Sequence, residues 1–145
     1  MDALAAVRPR GPYALVTLLI GVNDHYRARP LTSFAAEFKP VLNRAVQLAG
    51  RASRVVALSI PDWGSTPFAL GRDAASIGRD IDAYNVHAQL VAQERGAAWV
   101  DVTALSRRML TDSTLATEDG LHPSGELYRR WAELAMPAAI QALTR

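Results

Sequence analysis

A chain of 145 residues, half of them hydrophobic and 21% charged, carries enough apolar side chain for one core and is too apolar to stay disordered. Its 16 basic and 14 acidic residues leave a net charge of +2, without the basic runs or interleaved aromatics that nucleic-acid binding uses, so a nucleic-acid partner is not expected. The absence of cysteine removes disulfides, thiolate metal sites and cysteine nucleophiles together, and the longest apolar run, 13–22, is too short to cross a bilayer. With no signal-peptide pattern at its start, the chain as written reads as cytoplasmic and free of the membrane.

The first element is "YALVTLLIG", 13–21, an apolar, β-branched run bounded by "RPRGP" and by Gly21, which predicts a buried strand. Residues 33–49 predict a helix, because Phe34, Phe38, Val41, Leu42, Ala45 and Leu48 recur at helical spacing and Gly50 supplies a stop. Pro40 predicts a kink in that helix, since it removes a backbone donor. "RVVALSI", 54–60, is the second strand, closed by Pro61 and followed by the irregular "PDWGSTPFALG". Asp73 then reads as the N-cap of a helix with Ile77, Ile81, Tyr84, Ala88 and Val91 on one face and Gly96 at its end. "AAWVDV", 97–102, is the third strand, and 103–118 is a polar connection with room for a short helix. A last helix starts near Ser124 and runs to about Met136, where Pro137 is predicted to bend or interrupt it. Strands alternating with amphipathic helices define an α/β chain whose parallel sheet is covered on both faces.

In open parallel sheets ligands bind beyond the carboxyl ends of the strands. The loops there carry "GVND", "PDWG" and, further on, "DGLHPS", so residues distant in the chain converge on one edge. Asn23 has two readings: an amide aimed at a developing oxyanion, or one half of a turn made with Asp24. Asp119 and His122 also have two. A carboxylate on one imidazole nitrogen frees the other to take a proton from a nucleophile, but the same pair serves equally as a solvated loop contact or a helix cap. Two such ligands without a further histidine or cysteine make a poor metal site, so neither metal nor other cofactor is expected. His25, beside Asn23, is expected to meet solvent or substrate in the crevice. Trp63 and Phe68 either wall an acyl pocket or pin their loop to the core. His87 falls at the margin of a helical stripe and reads as a surface or partly packed ring.

Taken together, "LLIGVND", "LSIPDWG" and "DGLHPSGELYRRWA", in this order, resemble the SGNH, or GDSL-type, hydrolases. The resemblance covers nearly the whole chain from Tyr13, and the D-x-x-H-P block is its most specific part. It implies a flavodoxin-like three-layer sandwich with a parallel sheet, in one domain over 1–145, and the activity of an esterase, lipase, thioesterase or carbohydrate deacetylase without a metal. It implies that Asn23 is the oxyanion-hole side chain, that His122 is the general base and that Asp119 orients and charges it. Asp24, His25, Trp63, Ser65 and Phe68 become candidate contacts to a small ester substrate.

One departure from that family is large. Its nucleophilic serine sits in a G-D-S block at the end of the first strand, and a glycine in the next block gives a second oxyanion donor; neither block is present in this sequence. The resemblance therefore implies a domain incomplete at its N-terminus, lacking the first strand and first helix region, with residues 1–12 as the tail of the preceding helix. Ser59, Ser65 and Ser124 are the nearest replacement nucleophiles; Ser59 and Ser124 read as structural, which leaves Ser65. Little or no esterase activity is expected unless a nucleophile is supplied, and the alternative is a non-catalytic remnant or interaction module with the same fold. An unpaired apolar strand at 13–20 predicts a homo-oligomer formed through that edge.

Overall fold

The computed structural model describes residues 6–144. Part of the helix tail expected over 1–12 lies outside them. Three short strands, β1 (Val16–Leu18), β2 (Val55–Leu58) and β3 (Ala98–Val100), form a parallel sheet in the order β1-β2-β3. Val16 pairs with Val55 and Leu18 with Ala57, while Val56 pairs with Ala98 and Leu58 with Val100. Helices α1 (Val22–Tyr26), α2 (Leu31–Ala49), α3 (Ala74–Glu94), α4 (Thr103–Ser106) and α5 (Gly125–Thr144) complete the elements used below. This is the α/β, SGNH-like architecture expected from the sequence.

The period-2 alternation of the strands divides the core in two. Val55 and Ala57 of β2, with Val16, Leu18 and Ile20 of the first strand region and Ala97 and Trp99 of the third, face α2 and α3. Val56 and Leu58, with Leu15, Leu19, Ala98 and Val100, face α5 through Leu127, Trp131 and Ala142. Helices on both faces are what a parallel sheet requires, because neither of its faces can be left in water.

Phe34, Phe38, Leu42, Ala45 and Ala49 are the buried stripe of α2, which begins at Leu31 and ends at Gly50 in the left-handed region, φ 79°. Asp73 caps α3 as expected, accepting from the Ser76 N–H at 2.9 Å. Half-buried His87 meets Phe34 edge-on, with ring centroids 6.3 Å apart.

Two expectations are corrected. The paired strands are shorter than the apolar runs that contain them, because a residue can be extended and apolar on the way to a loop without a ladder partner. The final helix does not stop at Met136: α5 continues through Pro137 to Thr144. Pro137 and Glu133, whose carbonyl loses its intrahelical donor, are both exposed, so water can satisfy that oxygen, and buried Ala142 holds the last turns on the sheet. The same reasoning explains how α2 runs unbroken through Pro40, where Ala36 and Pro40 are on the solvent side.

Beyond the paired residues, the carboxyl ends of β2 and β3 are joined through a buried hydroxyl. Ser59 Oγ donates to Asp101 at 2.9 Å and accepts from the Val102 N–H at 2.8 Å and Thr103 Oγ1 at 2.7 Å, while the Thr103 N–H donates to Asp101 Oδ1 at 2.8 Å. Asn85 of α3 braces the same junction, accepting from the Ile60 N–H at 2.7 Å and donating to the Ile60 carbonyl at 3.1 Å and to Thr103 Oγ1 at 3.0 Å. Removing the hydroxyl would leave the buried Val102 amide unpaired. Ser59→Ala is therefore expected to cost about 2 kcal/mol, seen as a lower urea midpoint at unchanged slope. A midpoint equal to that of the unaltered chain would show that the junction does not depend on the hydroxyl.

Candidate active site

All three loops that the sequence places at the carboxyl edge contribute to one cavity there. It measures about 290 Å³, and its lining includes Asn23, Asp62, Trp63, His122, Tyr128 and Trp131.

Asn23 lies in α1, one turn of helix that starts directly after β1. The start is possible because Gly21 adopts φ 114°, and a Cβ there would lie 2.6 Å from Ile60 Cδ1 and 2.7 Å from the Phe34 ring. The tight turn keeps Asn23 at the cavity, with its side chain exposed. Asp24, its neighbour, faces elsewhere and receives a 2.7 Å hydrogen bond from Arg29, which also pairs with Glu37.

His122 is held by a turn that Asp119 organises. Asp119 Oδ1 accepts from Thr117 Oγ1 at 2.7 Å, the Leu121 N–H at 2.9 Å and the His122 N–H at 3.0 Å. Its other oxygen meets His122 Nδ1 at 2.5 Å. Gly120, at φ 68°, lets the turn close, and its carbonyl accepts from the Phe68 N–H at 3.1 Å, which ties this loop to the one after β2. Occupation of Nδ1 directs the second ring nitrogen away from the carboxylate. The pair is exposed, His122 at 70% and Asp119 at 50%.

Trp63 forms another part of the cavity wall. The turn Trp63–Ser65 is capped by Asp62, whose carboxylate accepts from the Gly64 N–H at 2.9 Å and from Arg107 Nε at 2.9 Å. Arg107 continues to Asp82 at 2.7 Å, and these two carboxylates, Asp62 foremost, raise its pKa above the ordinary guanidinium value. The Trp63 indole N–H donates to His25 Nδ1 at 2.9 Å.

The cavity thus gathers Asn23, His122 and Trp63, with Asp119 behind His122. Of the other residues expected to touch substrate, Asp24, His25, Ser65 and Phe68 do not line it. His25 is packed behind Trp63, its side chain 9% exposed, and Ser65 Oγ is 3.5 Å from Asp62. Phe68 is partly exposed beside Arg72, whose guanidinium carbon is 5.3 Å from its ring. Ser59 and Ser124 have structural partners: Ser59 in the junction above, Ser124 accepting from the Leu127 N–H at the start of α5. Thr66, a hydroxyl within the lining, is spent on the Trp63 carbonyl at 2.6 Å.

Sequence reasoning passed over Asp62, Tyr26, Tyr128 and Trp131. Asp62 sits inside the "PDWG" block already singled out, and Tyr128 and Trp131 follow His122 on the helix that begins right after it. Trp131 is buried, and among the described residues its indole N–H has no partner. No group of three His, Cys, Asp or Glu among the described residues is arranged to hold a metal.

A parallel sheet with this carboxyl-edge cavity is the setting in which the family comparison falls. The chain belongs to the GDSL-like lipase/acylhydrolase family, whose model matches residues 1–130. Among solved structures it is similar to a tryptophan-to-isoleucine mutant of Axe2, an acetyl-xylooligosaccharide esterase from Geobacillus stearmophilus, with a TM-score of 0.68 and 19% identity. That similarity covers 95% of this chain and 66% of the esterase chain, so this chain spans just under two thirds of it. No curated protein matched.

The His122 backbone N–H, the His122 ring, the Thr117 hydroxyl and the Leu121 N–H, in falling order, hold the Asp119 carboxyl well below the usual carboxylate range. A folded-state value below the unfolded one means that the stability contributed by ionised Asp119 is present above the ordinary aspartate value. It is lost only as pH falls through the lower folded one. The Asp119 carboxyl-carbon resonance is accordingly expected to stay at its ionised position from pH 8 to about pH 3. A midpoint near the ordinary aspartate value would show that the turn does not hold the charge.

Proposed function

We propose that this chain carries the base and oxyanion half of an acyl-ester hydrolase site within a single SGNH-type domain. In this reading His122 is the general base, Asp119 orients it and supports the imidazolium that forms, and the Asn23 amide donates to the developing oxyanion. The substrate is a small acyl ester, its acyl portion lying against Trp63 and the apolar cavity lining. One observation carries the reading: an imidazole bound by a carboxylate on Nδ1 lines the same cavity as Asn23, although the two lie about a hundred residues apart. Family membership supports a hydrolase class.

The nucleophile is the open part of this reading. In a complete site a serine hydroxyl would attack the ester carbonyl and give its proton to His122, which passes it to the alcohol as the ester C–O bond breaks; water then hydrolyses the acyl-enzyme to the free acid and restores the serine. Among the described residues no serine lines the cavity. A serine supplied to the His122 ring, or a water directed by it, would complete the reaction, the water slowly. The second reading, a non-catalytic module with the same fold, is favoured by the structural engagement of Ser59 and Ser124 and by the exposure of the base.

Hydrolysis of p-nitrophenyl acetate separates the two. The chain is expected to show a slow rate above background, from which His122→Ala removes about 10²-fold or more, as loss of a general base does. Equal rates in the two would favour the non-catalytic module, and a rate that survives Ser65→Ala would eliminate Ser65.

The free side of β1 supports a further part of this proposal, that two copies associate through residues 13–20. Among the described residues β1 has a ladder partner only in β2, and Tyr13 is 41% exposed. Sedimentation at micromolar concentration is expected to give a dimer or larger assembly; a single monomeric species would refute this part alone.

A further inference from the structure

We infer that His25 is a positioning residue, a latch that ties Trp63, and with it one wall of the cavity, to the helix that carries Asn23, and that the latch is closed only while Nδ1 is unprotonated. The geometry assigns the proton. An indole N–H is a donor and nothing else, so the 2.9 Å contact from Trp63 Nε1 makes His25 Nδ1 the acceptor and places the ring proton on Nε2. Nε2 in turn faces Asp80 of α3 at 3.8 Å. The imidazole is thereby held by a hydrogen bond at Nδ1, with Nε2 turned towards a carboxylate beyond hydrogen-bond distance.

Packing fixes its plane as well. The His25 ring meets Tyr84 edge-on, with centroids 5.6 Å apart, and tilts against Trp63 at 5.8 Å. The Tyr84 hydroxyl donates to the Arg29 carbonyl, which anchors the segment just after α1. Trp63 is further confined by the edge of Tyr26 at 5.2 Å and by the Arg72 guanidinium carbon at 5.6 Å. Two loops that follow different strands are therefore joined by one side-chain hydrogen bond, and each carries a residue of the cavity. The inference deepens the hydrolase reading by naming what holds the acyl wall against the oxyanion donor, but the bond itself exists whether or not the chain turns over substrate.

Protonation reverses the chemistry of the contact. Imidazolium presents N–H groups on both nitrogens, so two donors would face each other between His25 and Trp63 while Nε2–H turns to Asp80. The charged and titratable groups around the ring are Asp80 and Tyr84 of α3, Asp62 of the Trp63 turn and Asp24 of its own helix, the last paired with Arg29; Arg72 lies over the Trp63 ring. Burial outweighs the aspartates and sets the His25 pKa below the ordinary 6.5. The latch is thus closed at neutral pH and opens in acid.

The test is the indole N–H spectrum of the ¹⁵N-labelled chain, in which Trp63→Phe assigns one of three tryptophan signals. The Trp63 signal is expected at the position of a hydrogen-bonded indole and to move in one step as pH falls below the ordinary histidine range. In His25→Asn the side-chain oxygen stands near the place of Nδ1, so the signal should keep its neutral-pH position and lose that step. In His25→Leu it should take the unbonded position at every pH. A Trp63 signal indifferent to His25→Leu, or a titration step that persists in His25→Asn, would overturn the latch. None of these readouts requires turnover, so failure of the hydrolase reading and failure of the latch are distinguishable.

Discussion

Parallel strands do not by themselves fix where their following loops begin, and the site depends on a constraint that does. The Ser59 hydroxyl, buried between the ends of β2 and β3, accepts from the Val102 N–H and Thr103 Oγ1 while giving its own proton to Asp101, which also accepts from the Thr103 N–H. Asn85 closes the same junction from α3 through both backbone groups of Ile60. A buried polar cluster of this kind is costly when partly satisfied and rigid when fully satisfied, because each group would otherwise be left without water. Here the satisfied bonds set the register at which the chain leaves the sheet for Pro61 and Asp62. The backbone N–H of Asp62 then donates to Ser106 Oγ at 2.8 Å, and its carboxylate takes Gly64 and Arg107. The wall of the cavity is the end of a continuous chain of hydrogen bonds that starts in the sheet.

The two carboxylates nearest the cavity are handled in opposite ways. Asp62 is 3% exposed, and a buried charge needs both a counter-ion and hydrogen bonds, which Arg107 and the Gly64 amide supply. Asp119 lies in water, where an ion pair contributes little to folding. What holds it is local: two amides and a hydroxyl converge on one oxygen and leave the other for the imidazole. An exposed imidazole with a fixed orientation adds little to stability, and its geometry suits the proton transfer proposed for it.

Much of this was readable from residue patterns, and the limits have physical causes. The apolar run "RVVALSI" marked the second strand, helical spacing gave the stripe of α2, and Asp73 announced the cap of α3, since each is decided within a few residues. The edge of the sheet that carries the site followed from the βα order alone. Prolines were misread where exposure decides, as Pro137 shows: its missing donor matters less when the freed carbonyl faces solvent. Long-range polar contacts left no local trace. Nothing near His25 in the sequence indicates that its ring accepts from Trp63, thirty-eight residues on, and so its placement behind the cavity wall was not anticipated. The proposed catalytic roles of Asn23, Asp119 and His122 came from the resemblance, not from pattern, because each residue taken alone has an ordinary turn or cap reading.

The cavity and the free side of the sheet are not independent features. Leu19 continues β1 by one residue, packs with the cluster under α5 and also lines the cavity, alongside Trp131 of that helix. Backbone that added to the open side of β1 would run parallel or antiparallel at the spacing of a ladder, about 4.8 Å away. Strand β1 thus serves the sheet and the cavity together through Leu19, whose side chain belongs both to the packing under α5 and to the lining that includes His122.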